Sequence, residues 1–322
     1  MDSKSVVCDL RHKFSINGWI LLIYYGIINV SVLIAVMLDA LILRFRCLLN
    51  PGATQVDFTQ SIHERFQGNG WGYLLACIIG GIILLRWKKP EYCFRQIWTR
   101  EKPMTGKALV VLFCVFLSGQ AIQLMQIPVI EWLLKQFGFS ATALMESAAG
   151  GSSIVSMFLY VAVFAPVFEE ILFRGLILRN LLPYGKRFAI FASSFLFGIF
   201  HGNIIQTPYA FMVGLVLGYA AAEYGLVWSI VLHMFNNLVL GELLTQIARL
   251  IPALYVNLGL YALIFGCAIA TFVLSVVKWK KIADYLSNRR IHPLCLKSFF
   301  TAKGVIVFTV IMLVNMLSLL LL

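Results

Sequence analysis

Long apolar runs recur along almost the whole chain, and they constrain the fold more than any other feature of the sequence. About 20 apolar residues cross the hydrocarbon core of a bilayer as a helix, and within lipid only helices and closed barrels satisfy every backbone hydrogen bond. The 322 residues are 61% hydrophobic and only 12% charged, too few charges for the surface of a water-soluble protein. The sequence therefore predicts an all-α, polytopic transmembrane helical bundle.

The apolar runs divide into eight or nine predicted spans, and the count depends on whether one of them is re-entrant. The second run is short and contains the Gly80-Gly81 pair, which makes it the weakest of the set. We expect the amphipathic stretch 128–136 to lie along a membrane interface. The predicted spans cover 18–43, 71–85, 108–126, 152–173, 188–204, 208–222, 227–245, 254–277 and 304–322.

Basic residues are unevenly distributed between the predicted loops, and this bias predicts the orientation of the chain. The formal net charge is +12, from 26 Lys and Arg against 14 Asp and Glu. If the N-terminus is cytoplasmic, 21 of the 26 basic residues fall in cytoplasmic segments, as the positive-inside rule requires. We therefore expect a cytoplasmic N-terminus, contact of the basic loops with the lipid bilayer and no nucleic-acid partner.

Charged side chains interrupt the fourth predicted span, and within a membrane such residues mark functional sites by default. Glu170 and Arg174 are four residues apart on one helix face, so they can neutralise each other. Glu169 is rotated by about 100° from Glu170, and Pro166 should kink the helix just before it. We expect Glu169 to face the bundle interior; the alternative is that all three charges form one structural ion cluster.

Two histidines and an asparagine are expected near Glu169. Glu169 precedes Pro183 by 14 residues, and His201 follows Arg187 by 14 residues. An antiparallel hairpin with its turn at 183–187 would therefore place both side chains at one depth. His233 and Asn237 are four residues apart on a later helix and should share one of its faces. The sequence therefore predicts that these four side chains converge.

Such a set of groups suits hydrolysis of an amide bond. A buried carboxylate can act as general base toward water, a histidine can share that role, and a second histidine with an asparagine N–H can stabilise an oxyanion. Glu169, His201 and His233 would also suit a divalent metal such as zinc. The sequence does not require that cofactor, because it lacks H-E-x-x-H and its seven cysteines are scattered.

Three motifs on successive spans resemble those of the CPBP family of intramembrane proteases, the CAAX proteases and bacteriocin-processing enzymes. They are E-E-x-x-x-R at 169–174, F-x-x-x-H at 197–201 and H-x-x-x-N at 233–237. This family is also called the Abi or type II CAAX prenyl endopeptidase family. The resemblance covers about 152–245 and divides the chain into N-terminal transmembrane helices with a basic cytoplasmic loop (1–151), a CPBP-like catalytic core (152–245) and C-terminal transmembrane helices (246–322).

The resemblance also implies roles for the site residues. Glu169 is expected to activate water, with His201, His233 and Asn237 as its water or oxyanion partners and with Glu170 and Arg174 as structural support. It leaves open whether the enzyme is glutamate-dependent or a metallo-endopeptidase.

For the whole protein, the resemblance implies an intramembrane endopeptidase that cuts a membrane-associated protein or peptide, in a bacterial plasma membrane. Some bacterial members of the family act in bacteriocin maturation and immunity. One alternative is a noncatalytic membrane scaffold or immunity protein that binds a membrane signalling protein, such as a sensor kinase, or a bacteriocin. Another is a proton-coupled transporter that uses Glu169 and His201 as a relay, although the sequence lacks the internal repeats usual in transporters.

Overall fold

The computed structural model describes residues 3–49, 69–140, 144, 154–244, 247, 250, 253–288 and 290–321. Regular structure in these residues is helical throughout, with no strand. The main helices are α1 (Ser3–Leu49), α2 (Trp71–Trp87), α3 (Gly106–Gln136), α4 (Val155–Tyr184, with changes of helix type), α5 (Lys186–Phe200), α6 (Gln206–Tyr224), α7 (Leu226–Leu243), α8 (Ala253–Val277), α9 (Trp279–Asn288), α10 (Pro293–Phe300) and α11 (Lys303–Leu320).

Six of the described helices are long and apolar enough to cross a membrane, and α2 is a shorter apolar helix. The predicted all-α polytopic bundle is thereby confirmed, and the chain is a multi-pass integral membrane protein. The six are Ser5–Arg46 within α1, Gly106–Gln136, Val155–Tyr184, Leu226–Leu243, Leu254–Val277 and Lys303–Leu320.

The predicted spans at 188–204 and 208–222 correspond to α5 and α6, which are not among these six helices. Helix α5 has 15 residues, about 22 Å at 1.5 Å per residue, which is shorter than the hydrocarbon core. Both helices pack in the middle of the molecule, where most of their side chains contact protein. The number of membrane crossings therefore stays a prediction.

Residues 128–136, which we expect at a membrane interface, do not form a helix of their own. These residues continue α3, which runs unbroken from Gly106 to Gln136 with Pro128 inside it. Prolines are tolerated within membrane helices because neighbouring groups satisfy the backbone carbonyl that the ring leaves unpaired.

Several turns meet at one end of the bundle, which we call the basic end: the first turns of α1, the loop 99–105, the turn 182–187, Gly225 and Thr301. Arg11 Nε donates to Thr301 Oγ1 at 2.8 Å, and the rings of Phe14 and Tyr184 lie 4.9 Å apart. Four of the segments that the charge count assigned to the cytoplasm thus lie together.

Ion pairs close the loop 99–105 onto the basic end. Lys186 Nζ lies 2.5 Å from a Glu101 carboxylate oxygen and 2.9 Å from one of Glu223. Lys102 Nζ lies 2.7 Å from the other oxygen of Glu223, and this hydrogen bond raises the pKa of the Lys102 ammonium. The loop therefore stays docked against the ends of α5 and α6.

Helices α1 and α11 cross in backbone contact at Gly18 and Gly304. A Cβ on Gly18 would lie 2.2 Å from the carbonyl carbon of Gly304, so any side chain there would displace backbone. The Gly304 amide donates to Ser15 Oγ at 2.7 Å. Small residues that allow close approach are a common basis of helix association in lipid.

We predict that Gly18→Ala lowers the melting temperature of the purified protein. Overpacking costs about 1–3 kcal/mol, and here the contacted atoms are backbone and cannot rotate away. Gly26→Ala on the same helix is the matched control, because a Cβ at Gly26 meets no atom within 4 Å. A thermal melt in detergent measures both variants, and equal melting temperatures would contradict the crossing.

Candidate active site

The helix that carries Glu169 is irregular on both sides of it. Helix α4 changes from α to π at Tyr160–Phe164, returns to α over Ala165–Glu170 and is π again over Ile171–Leu178. Pro166 has no N–H to donate, and its ring crowds the carbonyl four residues earlier. The wider turn therefore forms just before the proline, where the sequence predicted a kink. Single π turns in helices often accompany functional sites.

Glu170 and Arg174 form a fully buried ion pair. Arg174 Nη1 lies 2.8 Å from Glu170 Oε1, and both side chains have 0% exposure. Arg174 Nη2 donates to the Gly214 carbonyl at 3.2 Å, and the guanidinium lies 4.2 Å from the ring centroid of Phe197. The ion pair expected from the sequence is present, and it joins α4 to α5 and α6.

Helix α7 supplies two further donors to the same carboxylate. His233 Nδ1 lies 2.9 Å from Glu170 Oε1, and the Ser229 hydroxyl donates to Glu170 Oε2. A carboxylate only accepts hydrogen bonds, so Nδ1 of His233 carries the hydrogen. Ser229 was missed by the sequence analysis, although it precedes His233 by four residues and so shares its helix face.

Glu169 has a different environment from its neighbour. Its carboxylate oxygen Oε2 lies 3.9 Å from His233 Nε2, longer than a hydrogen bond, and its side chain is 15% exposed. The imidazole of His233 therefore stands between two carboxylates, hydrogen-bonded to Glu170 and facing Glu169. Glu169 is left as the carboxylate that can approach another molecule.

His201 ends helix α5 and is oriented by its own helix. Its Nδ1 lies 2.9 Å from the Phe197 carbonyl oxygen, so that nitrogen donates, and the chain reverses at Gly202 with φ of +59°. The Phe197 ring lies 4.8 Å from the His201 ring and 5.6 Å from the His233 ring. His201 also interacts electrostatically with Glu169 and His233. The F-x-x-x-H motif thus places one aromatic ring between two imidazoles.

Asn237 contacts α4 at a different level from His233. Its Nδ2 donates to the Val161 carbonyl at 3.0 Å, and its Oδ1 accepts from Asn236 Nδ2 at 3.0 Å. The two partners of α7 on α4, Val161 and Glu170, are nine residues apart. The spacing argument for Asn237 assumed an α-helix, whereas α7 is π-helical over Phe235–Leu243. The convergence of Asn237 with His233 and Glu169 therefore stays a prediction.

A polar network that the sequence analysis missed supports Asn236 and Asn237. Gln120 Nε2 donates to Asn236 Oδ1 at 2.6 Å, and the Tyr209 hydroxyl donates to the same oxygen at 2.8 Å. Gln120 also donates to the Tyr209 hydroxyl oxygen. The available signal was the polar side chains inside the apolar run of α3, which has glutamines at 120, 123 and 126. The network ties α3 and α6 to the π turn of α7.

The described side chains do not form a ready metal site. Among the residues that the structure describes, no three His, Cys, Asp or Glu side chains are grouped to hold a metal ion. One nitrogen of His233 is engaged by Glu170 and one of His201 by the Phe197 carbonyl. In both histidines Nε2 is outside these bonds, which is the usual arrangement of a metal-binding imidazole. Glu169, His201 and His233 therefore suit a divalent metal by their chemistry, although they are not grouped to hold one here, and the chemistry below is derived without one.

An apolar groove lies beside the site, between α1, α2 and α4. It has a volume of about 360 Å³, and Phe168, the neighbour of Glu169 in sequence, lines it. The Tyr24 and Phe168 rings pack at 4.7 Å in its wall. Other lining residues are Ile20, Ile23, Gly80, Leu84, Leu172 and Leu176. The groove offers an apolar surface of the kind that lipid or a membrane-embedded chain contacts.

A comparison with family models identifies this region. Residues 151–239 match the model described as type II CAAX prenyl endopeptidase Rce1-like. The chain carries an Rce1-like domain. The match contains all three motifs, from 169 to 237, and it confirms the family expected from them. Helices α1 to α3 and α8 to α11 lie outside the Rce1-like domain. Neither the curated proteins nor the solved structures compared with the chain match it.

We predict that Arg174→Gln destabilises the protein by about 3–5 kcal/mol, since it leaves the charge of Glu170 buried without its cation. The matched control is Lys135→Gln, which breaks an exposed pair with Glu131 at the same i,i+4 spacing and should change stability by less than about 1 kcal/mol. Denaturation of both variants in detergent measures the difference. An Arg174→Gln protein as stable as the control would show that the pair does not hold the domain together.

Proposed function

We propose that this protein is an intramembrane endopeptidase in which Glu169 activates water for attack on a peptide bond. One observation carries the proposal: Glu170 is saturated by Arg174, His233 and Ser229, while Glu169, the next residue, is partly exposed and faces a histidine. The Rce1-like match to this region supports an endopeptidase of the CAAX-protease type.

The proposed reaction begins when the Glu169 carboxylate takes a proton from a water molecule. The hydroxide attacks the substrate carbonyl carbon and gives a tetrahedral intermediate with a negative oxygen. The proton then passes to the amide nitrogen, directly or through His201, and the C–N bond breaks. A new carboxylate and a new amine result, and no covalent enzyme intermediate forms.

We assign the remaining polar groups to the water and the oxyanion. The Asn237 amide has two hydrogens, one of which binds Val161, and we assign the other to the oxyanion. His233 is held by Glu170 with Nε2 toward Glu169, an orientation that suits a partner of the attacking water. Preorganised donors of this kind are worth several kcal/mol in the transition state.

The substrate class follows from where the site lies. Glu169 sits within an apolar helix and beside an apolar groove, so we propose a membrane-inserted or lipid-anchored protein or peptide. We further propose a bacterial plasma membrane, roles of the Abi or bacteriocin-immunity type, and the division into flanking helices (1–151 and 246–322) and a catalytic core (152–245).

We predict that Glu169→Gln lowers cleavage by roughly 10² to 10⁴ while the melting temperature is unchanged, because it removes the base and keeps the shape. Glu131→Gln, an exposed carboxamide substitution on α3, is the control and should cleave normally. Purified variants are assayed in proteoliposomes against a panel of membrane-inserted and lipidated peptides, with products identified by mass spectrometry. A folded Glu169→Gln protein that cleaves at the wild-type rate would refute the role of this residue.

The same assay can support the alternative of a noncatalytic scaffold. That function is indicated if the wild-type protein cuts no peptide in the panel but binds a membrane signalling protein. In that case Glu169→Gln should leave binding intact. This outcome separates the absence of activity from an incorrect choice of the base.

We also propose that the basic end faces the cytoplasm. Lys89 and Phe137 are both exposed. Lys89 belongs to the basic loop that precedes α3, and Phe137 follows the last residue of this 31-residue helix, so the two lie near opposite ends of the bundle. In a background without native cysteines, Lys89→Cys should react only with a thiol reagent that crosses the membrane, and Phe137→Cys with an impermeant one. The reverse pattern in intact cells would invert the topology.

A further inference from the structure

Helix α9 connects a membrane span to a helix of the basic end. It has ten residues, Trp279–Asn288, or about 15 Å of helix, and it follows the span Leu254–Val277 after Lys278. On its other side, α10 is anchored in the bundle, because Phe299 is completely buried and Thr301 accepts from Arg11. A helix held between these two points lies close to the level at which the spans end.

The residues of α9 divide into an apolar face and a charged face. Trp279, Ile282 and Ala283 stand at positions i, i+3 and i+4, which lie on one side of a helix. Lys281 falls on the opposite side, and Lys280 and Asp284 lie about 100° and 140° from Trp279 around the helix. This division is the pattern of a helix that lies in the plane of a membrane interface.

The exposed side chains of α9 are those that a membrane surface would contact. Trp279 is 62% exposed, and Lys278, Lys280 and Lys281 are all exposed. An indole prefers the boundary between headgroups and hydrocarbon. Lysines extend their ammonium groups from that depth toward the headgroups. Three lysines against the exposed carboxylate of Asp284 give this surface a net positive charge.

We propose that α9 is a lipid-binding helix that lies in the interface and binds anionic phospholipid headgroups through Lys278, Lys280 and Lys281. The charge selects anionic over zwitterionic lipid, and Trp279 sets the depth of the helix. A soluble acidic protein would satisfy the lysines but would leave Trp279 without an apolar contact, so the lipid surface fits both faces. The proposal rests on no catalytic assignment.

Quenching of tryptophan fluorescence by brominated lipids tests the proposal on the full-length protein. The chain has 7 tryptophans, so the signal of wild type minus that of Trp279→Phe isolates Trp279. The protein is reconstituted in phosphatidylcholine vesicles that contain phosphatidylglycerol, with bromine on the chains of one lipid at a time. At equal mole fraction, brominated phosphatidylglycerol should quench Trp279 more strongly.

We expect Trp279 to prefer phosphatidylglycerol over phosphatidylcholine by about fivefold or more. A factor of about five is the effect of a single lysine at an anionic surface. In the triple variant Lys278→Gln, Lys280→Gln and Lys281→Gln the preference should fall to about one, and high salt should reduce it in wild type. Lys135→Gln, an exposed lysine elsewhere, should keep it. Absence of quenching by either lipid, equal quenching by both, or an unchanged preference in the triple variant would each overturn the proposal.

Discussion

The buried ion pair of Glu170 and Arg174 is the interaction on which the rest of the site depends. Two charges removed from water carry a desolvation penalty of several kcal/mol each, which only close pairing and further hydrogen bonds offset. The Gly214 carbonyl and the Phe197 ring receive the guanidinium, and His233 donates to the carboxylate. These partners come from α5, α6 and α7, so satisfying one buried pair on α4 fixes the mutual positions of four helices.

The same pairing explains why two adjacent glutamates have different chemistry. Successive residues of a helix point about 100° apart, and the structure buries Glu170 completely while Glu169 is 15% exposed. A carboxylate that is saturated with donors is a poor base. Its neighbour, which only faces the far nitrogen of His233, is available to water. In the proposed mechanism the ion pair therefore orients the imidazole, and Nε2 of that imidazole faces the reactive carboxylate at 3.9 Å.

Sequence alone predicted the parts of this arrangement that depend on helical period and on the rarity of charge in lipid. The Glu170–Arg174 pair and the all-helical bundle belong to these parts. What it did not predict has physical causes. The π turns of α7 change the helical period that the argument for Asn237 assumed, so spacing alone does not fix its position. The partners Gln120 and Tyr209 are distant in sequence, and only tertiary packing brings them to Asn236.

The most direct test of the account compares the two glutamates when each is shortened by one methylene. Melting temperature and peptide cleavage are measured on Glu170→Asp and Glu169→Asp, purified and reconstituted identically. The account predicts that Glu170→Asp loses melting temperature, because its carboxylate withdraws from Arg174 and His233, whereas Glu169→Asp melts as wild type and loses cleavage. Equal melting of both variants together with cleavage retained by Glu169→Asp would contradict it.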